Sequence, residues 1–228
     1  MISIRSVFVA LTLFLLLRFP VMSDTEIYSI GTSFLVMEGS SAEELLMPGP
    51  IPVPYLTVSF LNKIDPSDGT PTPIGPVTDY TQCTGLDIHP VTQELYAVCN
   101  IMETNGVPNT KGDPFQTMLL TLDKNTGQPT EIGPIEIPCE DFVSDISSRS
   151  DGTLFAHING LNIAAKEATT KGESANSLAI IDTQNGNTTI VGPTGVEDFW
   201  SAIGFTPPDN LIQCTANDGF PGTCNILN

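Results

Sequence analysis

From about residue 59 onward, short apolar runs closed by turn-forming residues recur along the chain. Ile64-Asp65, Leu122-Asp123 and Ile181-Asp182 each end such a run. Each is followed by a glycine in a turn: Ser67-Asp68-Gly69, Asn125-Thr126-Gly127 and Gln184-Asn185-Gly186. Ile74-Gly75-Pro76, Ile132-Gly133-Pro134 and Val191-Gly192-Pro193 then close a second run. The aspartates stand at 65, 123 and 182 and the glycines at 75, 133 and 192, so both series step by 58 and then 59 residues. Two further runs complete each unit: Gly85 to Ile88 and Leu95 to Val98, Val143 to Ile146 and Leu154 to Ile158, Ala202 to Phe205 and Leu211 to Cys214. Their connectors, such as His89-Pro90 with Gln93-Glu94, Asp151-Gly152 and Pro207-Pro208-Asp209-Asn210, are rich in turn formers. The pattern predicts four short strands per unit, called a to d in sequence order, in units of about 59–116, 117–176 and 177–228.

A repeat of four antiparallel strands is the pattern of a blade that needs a neighbour on each side to bury its faces. On these motifs, and most closely on Gly85-Leu86-Asp87-Ile88-His89-Pro90 with Leu95-Tyr96-Ala97-Val98, the chain resembles the secreted β-propeller repeat proteins of bacterial type. The resemblance covers about residues 59–215. It implies an all-β, propeller-like array of about three four-stranded repeats, and it leaves the chemistry open, because such repeats host enzymes, binders and scaffolds alike. Closed propellers start at four blades. Residues 24–58 hold a strand-like run, Ile27 to Met37, an acidic stretch and the Pro-rich Pro48 to Pro54, and they are expected to supply a partial fourth blade. An open arc, or an arc that self-associates through its exposed edges, is the other outcome.

The first 23 residues read as a signal peptide: Arg5 precedes an apolar run from Val7 to Leu17, Arg18 ends it short of the ~20 residues that span a bilayer, and Val21-Met22-Ser23 suits cleavage. The expectation is export to a periplasmic or extracellular space, with no membrane span once the leader is removed. The 228-residue chain carries 8 basic and 26 acidic side chains, net -18. Loss of Arg5 and Arg18 takes this to -20. Such a balance excludes nucleic acid as a partner, since neutralising phosphates needs clustered Lys and Arg. The 19 glycines and 19 prolines, with only 15% charged residues, favour turns and strands over long helices.

Candidate chemistry is sparse. Asp65, Asp68, Asp123, Asn125, Asp182 and Asn185 are oxygen donors in the a–b turns, but they lack the EF-hand spacing, and Asp or Asn beside Gly is what a tight turn needs; calcium is the weaker reading and no metal ligand is assigned. The b–c connections pair acids with aromatics: Asp79-Tyr80, Asp141-Phe142 and Asp198-Phe199-Trp200. On one rim they would form a binding surface for a sugar or a cationic group. The competing reading makes each aromatic a spacer at the start of strand c. Lys111, Lys166 and Lys171 fall in the d–a loops of the same rim. His89 and His157, the only histidines, flank no nucleophile motif, so no catalytic residue is assigned.

Five cysteines suit an oxidising compartment. Cys214 pairs readily with Cys224, and Cys83 with Cys99 across the c–d turn, leaving Cys139 free; Cys83 with Cys139 is the alternative. Asn187-Thr188-Thr189 is a glycosylation sequon where the secretory pathway is eukaryotic. The reading that follows is an exported, non-catalytic binding or interaction module with a protein or glycan ligand. Its rivals are a secreted hydrolase using rim carboxylates, with calcium as an aid, and a fragment of a longer propeller.

Overall fold

The structure, a computed structural model, describes residues 26–35, 56–101, 116–137, 141–159, 176–195, 200–216 and 223–227. Every regular element among them is a strand. In chain order these are β1 (Ile27–Leu35), β2 (Leu56–Ile64), β3 (Pro71–Val77), β4 (Thr81–Ile88), β5 (Leu95–Ile101), β6 (Gln116–Leu122) and β7 (Pro129–Pro134). There follow β8 (Phe142–Ser148), β9 (Leu154–Asn159), β10 (Ser177–Ile181), β11 (Thr188–Pro193), β12 (Trp200–Thr206), β13 (Asn210–Ala216) and β14 (Thr223–Leu227). They form four antiparallel sheets: β1-β2-β3, β4-β5-β6-β7, β8-β9-β10-β11 and β12-β13-β14.

The strands arise where the sequence places them, yet the sheets are cut half a repeat away from the sequence units. Strands c and d of one unit pair with a and b of the next, as Val98 opposite Leu119 and Ala156 opposite Ala179 record. The prolines of strand b explain the cut. Pro71, Pro73 and Pro76 lie in β3, Pro129 and Pro134 in β7, and Pro193 in β11. A residue without an N–H cannot serve a ladder on both sides, so strand b is confined to the edge and the chain must leave the sheet after it. The units 59–116, 117–176 and 177–228 therefore each take strands from two sheets. The segment before the first unit does supply a strand, β1, which takes the place of d beside β2. At the far end β14 takes the place of a beside β13.

The a–b hairpins share one turn. Asp65, Asp123 and Asp182 accept the backbone N–H of Ser67, Asn125 and Gln184 through Oδ1, and their carbonyls accept the N–H of Gly69, Gly127 and Gly186. The Ser67 hydroxyl and N–H hold the Asp65 carboxyl below the usual range, and the Asn125 N–H with the Thr126 hydroxyl does the same for Asp123. The carboxylates are thus used as turn acceptors.

Sheets lean on one another in sequence order. Leu61 and Val77 of the first meet Leu95, Ala97, Cys99 and Leu120 of the second. The opposite face of the second, with Tyr96, Val98 and Leu119, meets Val143, Ile146, Leu154 and Ala156 of the third. Phe155 of the third meets Ile203 and Leu211 of the fourth. The innermost strands β4, β8 and β12 pack in series, and no comparable contact among the described residues joins the fourth sheet back to the first. Cys83–Cys99 ties β4 to β5 and Cys214–Cys224 ties β13 to β14, so Cys83 is not available to Cys139, which lies outside the described residues.

Candidate binding rim and the polar seams between sheets

The b–c links run from the outer edge of one sheet to the inner strand of the next, so Asp79-Tyr80, Phe142 and Trp200 stand where β4, β8 and β12 begin. Their backbones share one end of the array. Their side chains do not all face a common space. Asp79 takes a left-handed conformation, φ 66°, which Asp tolerates better than most residues. That turn sends Tyr80 inward, where it is buried against Cys83 and Val77 and its hydroxyl donates to a Glu131 carboxylate oxygen on β7. Burial, then that carboxylate, pushes the phenol up from its usual range. Tyr80 thus fills the space between two sheets. Asp141 and Phe142 are half-buried. Asp198 and Phe199 lie outside the described residues, and so does the Trp200 side chain.

The inner strands carry a second set of polar groups that fasten sheet to sheet. On β4, Asp87 accepts the backbone N–H of Ser148 on β8 at 2.8 Å. On β8, Asp145 accepts the N–H of Ile203 on β12 at 2.9 Å through one oxygen and its neighbour's, Ile146, through the other. Burial raises both carboxyls, Asp145 to about 7, against the pull of these donors. Beside Asp145, in register, lies His157, wholly buried. Its Nδ1 is 2.8 Å from Ser144 Oγ, and its Nε2 lies 3.0 Å from Gln213 Nε2, which also donates to Ser201 Oγ. The imidazole is thus held at both nitrogens, by a hydroxyl on its own sheet and an amide on the next. Burial holds this imidazole down at about 4, so it is neutral at ordinary pH. His89 is a further fastener: its Nε2 lies 2.8 Å from the Gly152 carbonyl and its Nδ1 accepts from Thr92 N–H.

One surface groove sets a ring beside a carboxylate. About 220 Å³ in volume, it runs between the first two sheets and is lined by Glu26, Ile27, Tyr28, Leu86, Asp87, Ile88 and Leu95. It lies where the first sheet has no strand c. Glu26 is held by Lys63 at 2.9 Å and Lys124 at 3.8 Å, and Lys124 also lies over the Tyr28 ring.

Sequence reading passed over the fasteners although their signal was present. Asp87 and Asp145 are 58 residues apart, and Asn100 and Asn159, at the ends of β5 and β9, are 59 apart. The same repeat that located turns also located these. Asn100 accepts the Thr117 hydroxyl at 3.0 Å, and Asn159 is buried.

Array, turns and inner fasteners together define a β-propeller-like fold. No family model and no curated protein matches the chain. Among solved structures it is similar to a protein of unknown function from Dyadobacter fermentans, with a TM-score of 0.56 at 9% identity, over 88% of this chain and 57% of that one. It is also similar to a glucose dehydrogenase (TM-score 0.43, 14% identity, 78% of this chain, 59% of that one). A periplasmic gluconolactonase from Pseudomonas aeruginosa follows (0.35, 13%, 86% and 68%). The first likeness supports the fold. The others are too distant to carry more. The chain spans somewhat over half the length of the first solved structures it resembles.

Proposed function

We propose that the protein is an exported binding or interaction module of β-propeller type, and that the groove between its first two sheets takes the ligand. The groove carries this reading, because it sets the Tyr28 ring and the Glu26 carboxylate beside an apolar floor of Leu86, Ile88 and Leu95. A ring beside a carboxylate suits a sugar or a cationic side chain. Two disulfides support an oxidising location. The hydrolase alternative draws on Asp145, whose carboxyl near 7 has the value of a general acid; both of its oxygens, however, are bonded to backbone N–H groups between sheets. A glycan and cationic-peptide array probed with wild type and Tyr28→Ala tests the proposal. Binding lost in the variant is the expected result. Binding that the variant retains would move the site elsewhere, and hydrolysis of an arrayed glycan would favour the enzyme.

A further inference from the structure

Strand b, present as β3, β7 and β11, forms the outer edge of its sheet, and the three copies guard that edge differently. Aligned on Gly75, Gly133 and Gly192, the first position of the strand is Pro71, Pro129 and Thr188, and the third is Pro73, Glu131 and Ile190. The third position is exposed in all three copies. Proline and charge at such places stop an edge from pairing with another chain. β11 has neither there: it runs Thr188-Thr189-Ile190-Val191, residues that favour strands, with Pro193 only at its end. Among the described residues no strand pairs with its outer side. Immediately before it stands Asn187, which opens the single Asn-x-Ser/Thr sequence of the chain, and the residue between Asn187 and Thr189 is not proline. The fold leaves this sequence open. Asn187 and Thr189 are exposed, as are Thr70 with Thr72 and Gln128 with Thr130 at the same places in the other two hairpins, so the exposure belongs to the hairpin itself. The Asn187 N–H donates to Asn185 Oδ1 at 2.8 Å, and its carbonyl accepts the Asp182 N–H at 2.8 Å. Both bonds use its backbone, so a substituent on the side-chain amide leaves the turn intact. Thr188 donates its hydroxyl to the Glu136 carbonyl and anchors the hairpin to the second sheet.

We propose that Asn187 carries an N-linked glycan added in a eukaryotic secretory pathway, and that this glycan guards the β11 edge where the other copies use proline and charge. The donor is an oligosaccharide held on a lipid diphosphate. Asn187 Nδ2 forms a bond to the anomeric carbon of that oligosaccharide, the bond from this carbon to the diphosphate oxygen breaks with its electron pair, and the amide gives up one proton. A glycan is bulky and solubilising, and this one is rooted three residues before Ile190, about 10 Å along the strand. The inference rests on export and not on the ligand groove, whose residues lie in the first two sheets.

The test is secretion of the full chain from a eukaryotic cell, followed by peptide mapping before and after enzymatic removal of N-glycans. One glycan, on Asn187, is the expected result, with Thr189→Ser retaining it and Thr189→Ala losing it. Asn187→Gln should raise the rate of aggregation, read by light scattering in concentrated solution, severalfold while leaving the circular dichroism unchanged. Ile190→Glu added to that variant copies Glu131 and should bring the rate back to that of the glycosylated protein. Should the Asn187→Gln chain not leave the cell, trimming the glycan of the folded protein to its first sugar reads the same rate. A secreted chain unmodified at Asn187 would overturn the proposal. An aggregation rate that loss of the glycan leaves unchanged, or a rise that Ile190→Glu does not reverse, would overturn the guarding role.

Discussion

The seam between the second and third sheets and the seam between the third and fourth are built from the same repeat, yet they hold by different means. The first is mainly apolar: Tyr96, Val98 and Leu119 face Val143, Ile146, Leu154 and Ala156, all buried, and its bonds from Asp87, His89 and Thr84 go to backbone groups. The second buries only Phe155, Ile203 and Leu211, and gives its inner half to Ser144, His157, Gln213 and Ser201. Apolar surface is stabilising wherever it is removed from water, whereas a buried hydrogen bond adds only about 1 kcal/mol and leaves a costly unpaired group once a partner is lost. The fourth sheet therefore depends more on side-chain hydrogen bonds and protonation, and the middle seam more on packing.

Core truncation should separate them most. Leu119→Ala removes a wholly buried side chain from the middle seam and should cost about 4 kcal/mol; Leu211→Ala, at the edge of the polar seam, should cost about 2 kcal/mol. Urea titration reads both, and equal costs would erase the distinction.

The next largest effect is the pH dependence of the polar seam. Asp145 is raised to about 7, so the folded protein holds its proton where the unfolded chain has released it, and its contribution to stability falls as pH rises from about 4 to about 7. His157, lowered to about 4, acts with the opposite sign: its contribution is lost as pH falls from about 6.5 to 4. Asp145→Asn removes the first and leaves the second. Relative to wild type, the variant should gain up to about 4 kcal/mol between pH 4 and 7.5 in urea midpoints. Parallel curves for the two proteins would show that Asp145 does not couple folding to protons.

Replacing both Cys83 and Cys99 by Ser opens a loop whose ends are 16 residues apart and should cost about 3 kcal/mol, again by urea titration. The smallest effect belongs to a single bond across the middle seam. Thr84 donates its hydroxyl to the Val143 carbonyl at 2.6 Å, and Thr84→Val should cost about 1 kcal/mol. A larger loss there would mean that the middle seam leans on its polar contacts as much as the seam to the fourth sheet does.

Strand positions and turns were legible because they are local: apolar alternation, an Asx acceptor and a left-handed glycine all act within a few residues. Sheet membership was not, since a short b–c link is compatible with a hairpin, and only the prolines of β3, β7 and β11 exclude one. Asp79 and Tyr80 were legible as a feature of the b–c link but not as core, because nothing local says that φ 66° at Asp79 turns the ring inward. Asp87, Asp145 and His157 bond across sheets to residues 56 to 61 positions away, beyond any window of local pattern.

The half-repeat offset between sequence unit and sheet is tested most directly by backbone proton contacts in an isotope-labelled sample. Cross-strand contacts should join β5 to β6, with Val98 opposite Leu119, and β9 to β10, with Ala156 opposite Ala179. A ladder between β3 and β4 or between β7 and β8 in their place would contradict it.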